Sequence, residues 1–228
     1  MTQATSTNPP PETDNTHERL LHAAGEVFAE RGFAAATIRE ICRRAGANVA
    51  AVNYHFRDKE ELYQQVVQRS HGAATGDLAA TVAATEHLPP KAKLHAYIHS
   101  FLTRLLDTSR PDWQARMMAH EMTAPTAALD VIVRDSIRPQ FDRLQTIVAE
   151  ILKPDAASPP SPDDLRYLSA CIMGQILFWK TSQAVICRMY PDVVYDPPHI
   201  ARIADYLTDF SYSALLARHT QNAIGGQP

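Results

Sequence analysis

The chain has 228 residues, 45% of them hydrophobic and 21% charged, with a formal net charge of -3. That length buries a core without covalent staples, the composition excludes a disordered or fibrous protein, and the weak negative charge excludes bulk attraction for nucleic acid, so any such site must be local. Cys42, Cys171 and Cys187 form no CxxC pair and leave one over, which argues against a secreted disulfide framework; with neither a signal-like N-terminus nor a bilayer-length apolar run, the expected location is cytoplasmic.

Residues 1–15, rich in Thr, Pro and Asn, are expected to be a disordered tail. From 16 to about 32, Leu20, Leu21, Ala24, Val27 and Phe28 recur at helical spacing, with Asn15 and Glu18 placed as a capping box and Gly32 as the C-cap. Thr37 to Glu40 form a T-x-x-E box that opens a short helix with Ile38, Ile41 and Cys42 inward, which Gly46 ends. Asn48 caps a third helix over 49–56, and Asp58 starts a fourth that runs towards 86. Beyond it, helical periods cut by proline predict helices over 91–107, 112–124, 126–153 with an interruption near Pro139, 162–189 and 198–219. Two Pro-rich loops, 154–164 and 190–199, lie between helices, and 220–228 is expected to be a flexible tail. The fold class is therefore all-α, with a three-helix N-terminal domain over 16–62 and a larger helical domain over 63–219.

A helix ended by Gly46, a short turn and a second helix starting after Asn48 is helix-turn-helix spacing, in which the second helix enters the major groove of DNA. The charge agrees: between Thr37 and Lys59, five basic residues (Arg39, Arg43, Arg44, Arg57, Lys59) face two acidic ones, whereas the rest of the chain is acidic. Small Ala50 and Ala51 let the backbone approach base edges, Asn53 is an amide suited to bidentate pairing with adenine, and Tyr54 and His55 can hydrogen-bond phosphates. Val52 and Phe56 anchor the helix to its own core. Lys59 adds charge at the next helix start.

The stretch 19–62, with A-x-x-x-F-x-x-x-G-F, then T-I-R-E-I-x-x-x-A-G, then Y-H-F-x-x-K-E-x-L, resembles the DNA-binding domain of the TetR family of transcriptional regulators. The resemblance implies that Thr37, Tyr54, His55 and Lys59 hold phosphates while Asn48, Ala50, Ala51 and Asn53 face the groove. Asn53 stands where many members carry Tyr, and it is the residue expected to read a base. The later segments AHEMTAPTAAL, SIRPQF and CIMGQILFW are similar to the CecR-type branch. For the C-terminal two-thirds this implies effector binding and dimerisation. The expected partners are double-stranded operator DNA, a small-molecule effector and a second copy, with no cofactor and no membrane.

Over 165–189 the helix is apolar on nearly all sides, so it must be buried twice over. Cys171, Gly174, Phe178 and Val185, with Ile203, Leu207 and Phe210 of the last helix, are the expected dimer interface, because two reading heads must reach half-sites about 34–36 Å apart. On 112–124, Trp113, Met117, His120 and Glu121 share one helical face that suits an adaptable effector pocket, with Phe178 and Trp179 as further walls; plain core packing explains that face equally well. His95 and His99, spaced i, i+4, raise an alternative from another class: an all-helical metal-binding enzyme using His95, His99, His120 and Glu121. No HExxH, glycine-rich phosphate loop or nucleophile elbow accompanies them. A non-enzymatic regulator is the reading that absorbs most of the sequence.

Overall fold

The computed structural model describes residues 12–107, 111–152 and 160–225, which form eleven α-helices and one π-helical stretch with no strand among them. They divide into two compact units, Met1–Gly72 with Arg110–Val133, and Ala73–Ser109 with Arg134–Pro228.

In the first unit α1 (Glu12–Ala35) buries Leu20, Ala24, Val27 and Phe28 completely, the stripe that the spacing predicts. The helix begins before Asn15, which lies exposed inside it instead of capping it; no proline or glycine separates Glu12 from Asn15, so nothing stops an extra turn. The remainder of the expected N-terminal tail, 1–11, lies outside the described residues. Gly32 is the point where regular geometry ends. Its φ of 73° and ψ of 169° kink the chain before one further turn, in a region that a Cβ disfavours. Against α1 pack α2 (Ile38–Ala45) and α3 (Val49–Phe56), which contribute Ile41, Cys42, Val52 and Phe56 to one core.

The long α4 (Lys59–Thr85) begins in this unit and passes the division at residue 72. Also here, although far along the chain, is α6 (Asp112–Thr123), which packs along α1. Trp113 makes that contact possible: its ring lies against the backbone of Gly25, where an added Cβ would stand only 2.6 Å from it. The short α7 (Ala127–Ile132), capped by Thr126, follows α6.

The second unit is built from α5 (Pro90–Leu105), α8 (Arg138–Leu152), α9 (Pro162–Thr181), α10 (Gln183–Met189) and α11 (Pro197–Gly225). Leu94, Tyr97, Ile98 and Leu102 of α5 meet Leu144 and Val148 of α8, Ile172 and Ile176 of α9, and Ile200 and Ala204 of α11 in one core. Lys91 pairs with Asp209 at 2.8 Å and Lys93 with Glu150 at 2.7 Å around its rim.

Three departures from the predicted elements have local causes. The helix expected over 126–153 is broken over Val133–Ile137, a π-helical turn just upstream of Pro139. Proline has no N–H for the carbonyl four residues back and clashes with it, so the preceding turn widens. The helix expected over 162–189 stops at Thr181, whose hydroxyl bonds the Leu177 carbonyl at 3.1 Å, and restarts after Ser182; adjacent hydroxyls compete with the helical ladder. The last helix runs on to Gly225, so most of the expected C-terminal tail is helical, while 226–228 lie outside the described residues, as do residue 153 at the end of the helix predicted over 126–153 and 154–159 of the first predicted loop.

Candidate nucleic-acid interface

The site is assembled by caps. Thr37 accepts a hydrogen bond from the Glu40 N–H at 3.3 Å, so its hydroxyl hydrogen is left to donate outward. Gly46, at φ 61°, ends α2 in the left-handed conformation, and the Ala47 N–H closes on Cys42 O at 2.9 Å. Asn48 then caps α3, its carboxamide oxygen accepting from the Ala51 N–H at 2.8 Å. The NH2 of Asn48 and the second lone pair of its carboxamide oxygen remain for a partner.

These caps fix which face of α3 points out. Val52 and Phe56 are buried, while Ala50, Asn53 and Tyr54 are exposed, Tyr54 by 79%. His55 is half-buried between Tyr54 and His17, whose ring stacks on Phe56 at 4.7 Å. Among the described residues no side chain hydrogen-bonds the Asn53 carboxamide or the Tyr54 hydroxyl, whereas Asn48 is engaged as the cap and Ala51 is half-buried.

At Arg57 the chain reverses through a three-residue turn, with φ 57° and ψ -55°, closed by the Asp58 N–H on Phe56 O. This conformation is strained for a residue with a Cβ. Asp58 caps α4 by accepting from the Glu61 N–H at 2.8 Å. Lys59 follows at the start of α4, half-exposed, with its ammonium 3.5 Å from Ala34 O and 4.5 Å from the centre of the Phe33 ring.

The basic residues divide by partner. Arg44 grips Glu30 through two bonds of 2.7 and 2.8 Å, and Arg31 pairs with Glu40 at 2.8 Å. The guanidinium beside it holds the Glu30 carboxyl below the usual range. Arg44 is therefore a brace between α1 and α2. Arg39 and Arg43, spaced i, i+4 on the exposed side of α2, have no carboxylate partner among the described residues. They are phosphate candidates that the sequence reading counted only as charge; their freedom shows only once Arg31 and Arg44 are seen to occupy the nearby glutamates.

The face expected to line an effector pocket lies in this first unit. Trp113 and Met117 are buried, His120 is within 3.0 Å of Ala29 O, and the buried Glu121 carboxylate accepts from the Tyr63 hydroxyl and from both the N–H and hydroxyl of Thr126. Burial, and then the bond to Glu121, raises the Tyr63 phenol well above the ordinary tyrosine value. His95 and His99, by contrast, belong to the second unit, with rings stacked at 5.9 Å and His95 2.9 Å from Asp205. The four residues of the metal-enzyme alternative are thus divided between the two units, and no group of three potential metal ligands occurs among the described residues.

Within the second unit, α9 and α11 leave an open groove of about 480 Å³ lined by Cys171, Gly174, Gln175, Phe178, Trp179, Leu207 and Phe210. Phe178 is 53% and Phe210 67% exposed, and Val185 on α10 is exposed as well. Ile203 is instead buried in this unit's own core. No helix of the described residues is long and apolar enough to cross a membrane.

Comparison with known proteins agrees with this geometry. Residues 20–66 match the bacterial regulatory proteins of the tetR family, and residues 90–217 match the C-terminal domain of the HTH-type transcriptional dual regulator CecR. The chain is 26% identical over 188 residues to CecR of Shigella flexneri, covering 76% of this chain and 79% of that one. It is 39% identical over 59 residues to the transcriptional repressor BepR of Brucella suis, a match that spans 26% of this chain and only 28% of BepR. Among solved structures, the hemolysin II transcriptional regulator HlyIIR superposes with a TM-score of 0.57 at 25% identity, covering 86% of this chain and 99% of that one. SmeT, the repressor of a Stenotrophomonas maltophilia multidrug efflux pump, has the same fold, with a TM-score of 0.57 at 23% identity over 90% of this chain and 92% of its own. The capped α2–turn–α3 unit, its outward polar face and these matches establish that the chain belongs to the TetR family of DNA-binding transcriptional regulators, with a C-terminal domain of the CecR type.

Proposed function

We propose that the protein is a cytoplasmic homodimeric repressor that reads an inverted repeat through α3 and leaves it when a small molecule binds the C-terminal domain. The observation that carries the reading is the face of α3 itself: Asn53 and Tyr54 stand exposed over a buried Val52–Phe56 anchor, with the Gly46 and Asn48 caps closing the two ends of the turn. In this reading Asn53 pairs with a base. Thr37, Tyr54, His55 and Lys59 hold phosphates, joined by Arg39 and Arg43, and Ala50 and Ala51 admit the helix to the groove. Asn48 contributes chiefly the donors of its NH2, its oxygen being engaged in the cap.

A second copy is needed because half-sites lie about 34–36 Å apart. The exposed apolar face of α9 and α11, with Cys171, Gly174, Phe178, Leu207 and Phe210 along its groove, supports a two-fold helical interface there. Release follows from population shift: an effector that binds the DNA-incompetent state better lowers operator affinity by the same coupling free energy. α4 runs from the recognition unit into the effector unit and is the covalent lever between them. The repressor names of BepR and SmeT support the sign of regulation, and we place the effector against the C-terminal helices, Phe178 and Trp179 included.

Nuclease footprinting of the DNA upstream of the chain's own gene tests this reading. A protected inverted repeat whose half-site centres are one helical turn apart, or a multiple of it, is expected. Scattered or absent protection contradicts it.

A further inference from the structure

The DNA-binding unit contains a segment that no helix-turn-helix motif includes. α6 and the start of α7 lie more than fifty residues beyond Lys59 in sequence yet belong to the same compact unit. Their most unusual group is Glu121, a carboxylate only 1% exposed. A buried charge without a cation is costly unless hydrogen bonds replace its water. Among the described residues no lysine or arginine pairs with it. Its oxygens are instead held by the Tyr63 hydroxyl, by the Thr126 N–H at 3.1 Å and by the Thr126 hydroxyl at 3.0 and 3.2 Å.

Each partner leads somewhere. Thr126 also accepts from the Ala128 N–H at 3.1 Å, so Glu121 is tied to the cap of α7. Tyr63, on the second turn of α4, stands edge-on to Phe28 and tilted against Phe33, with both ring centres 4.8 Å away. Phe33 also touches Lys59, whose ammonium lies 4.5 Å from the ring centre and 3.5 Å from Ala34 O. Three contacts therefore run from Glu121 through Tyr63 and Phe33 to the ammonium of Lys59.

We propose that Glu121 is a positioning residue for DNA binding: by fixing the Tyr63 hydroxyl it sets the Phe33 ring, and the ring sets the Lys59 ammonium where it meets a phosphate. The inference rests on the reading of Lys59 as a phosphate contact. A lysine carries several free rotors, so an ammonium confined by a ring face and a carbonyl loses less freedom when it binds. The carboxylate itself stays buried and touches no DNA.

A double-mutant cycle tests it, with Glu121→Ala and Lys59→Ala singly and together, measured by anisotropy on a scrambled duplex at low salt and corrected for folded fraction from melts of the same samples. Lys59→Ala should weaken binding roughly tenfold and lower the salt slope by about one. Glu121→Ala should weaken it several-fold in the parent and not at all in the Lys59→Ala background, with Glu121→Gln, which keeps an acceptor, restoring part of the loss. If Glu121→Ala does not fold, Tyr63→Phe, which keeps the ring and removes only the hydroxyl, takes its place in the cycle. Equal losses in both backgrounds, or no loss in either, would overturn the positioning role. If Lys59→Ala left affinity and slope unchanged, the phosphate contact would fall and the inference with it, whereas a weakened Lys59→Ala beside an unaffected Glu121 or Tyr63 variant sinks the inference alone.

Discussion

At the scale of single residues, α3 separates two kinds of contact that mutation can tell apart. Asn53 offers a donor and an acceptor with no internal partner, so Asn53→Ala should flatten discrimination between operator variants by roughly 1–3 kcal/mol at one base pair. Tyr54→Phe or Arg43→Ala should instead weaken all sequences alike, and Arg43→Ala should lower the salt slope by about one; competition anisotropy on a panel of duplexes distinguishes the two outcomes. A second residue-scale effect is alkaline. Tyr63 and Tyr97 are raised well above the ordinary phenol value, chiefly by burial, so their contribution to stability is complete below about 10, where unfolded phenols titrate. It is lost as pH climbs from there towards the raised folded values, because only the unfolded chain sheds the proton. Denaturant unfolding between neutral and strongly alkaline pH should show a shallower fall for Tyr63→Phe than for the parent. The α3 face was legible in the sequence because caps and i, i+3, i+4 spacing are local. The Glu121 network was not: on its own helix Glu121 is just a polar residue beside a histidine, and only tertiary packing brings Tyr63 to it from 58 positions away.

At the scale of elements, two backbone positions carry the arrangement of the recognition unit. Gly25 lets the Trp113 ring lie on α1, and a Cβ there would come within 2.6 Å of it. Gly25→Ala should destabilise by about 1–3 kcal/mol despite alanine's better helix propensity, seen as a lower melting temperature. Arg57 holds positive φ between α3 and α4; Arg57→Gly should raise stability by about 1 kcal/mol. Neither effect follows from periodicity. Glycine inside α1 reads as a weak point until its neighbour is known, and Arg57 sits in a stretch that the sequence describes only as a junction between two helices. The π-helical turn before Pro139 was half legible: the proline announced an interruption, but its position one turn upstream depends on which carbonyl loses its donor.

At the scale of the whole molecule, an all-helical chain divided into a reading unit and a larger helical unit was readable from proline breaks and caps. Residues 110–133 were the exception, since they join the first unit from the middle of the second in sequence. The expected dimer face gives a clean test, because Gly174 lies on the open groove with nothing within 4 Å of an added Cβ. Gly174→Leu should leave the melting temperature of the isolated protomer unchanged while shifting sedimentation towards monomer, and Phe178→Asp should do so more strongly. A variant that stays dimeric would move the interface elsewhere.

Everything proposed for the molecule depends on sequence-selective DNA binding through α3. Its most direct test is an anisotropy titration of the purified protein against the duplex upstream of its own gene and against a scrambled duplex, across a salt series. Preference for the upstream duplex, with a steep loss of affinity as salt rises, is the expected result. Equal and weak binding to both duplexes would contradict it.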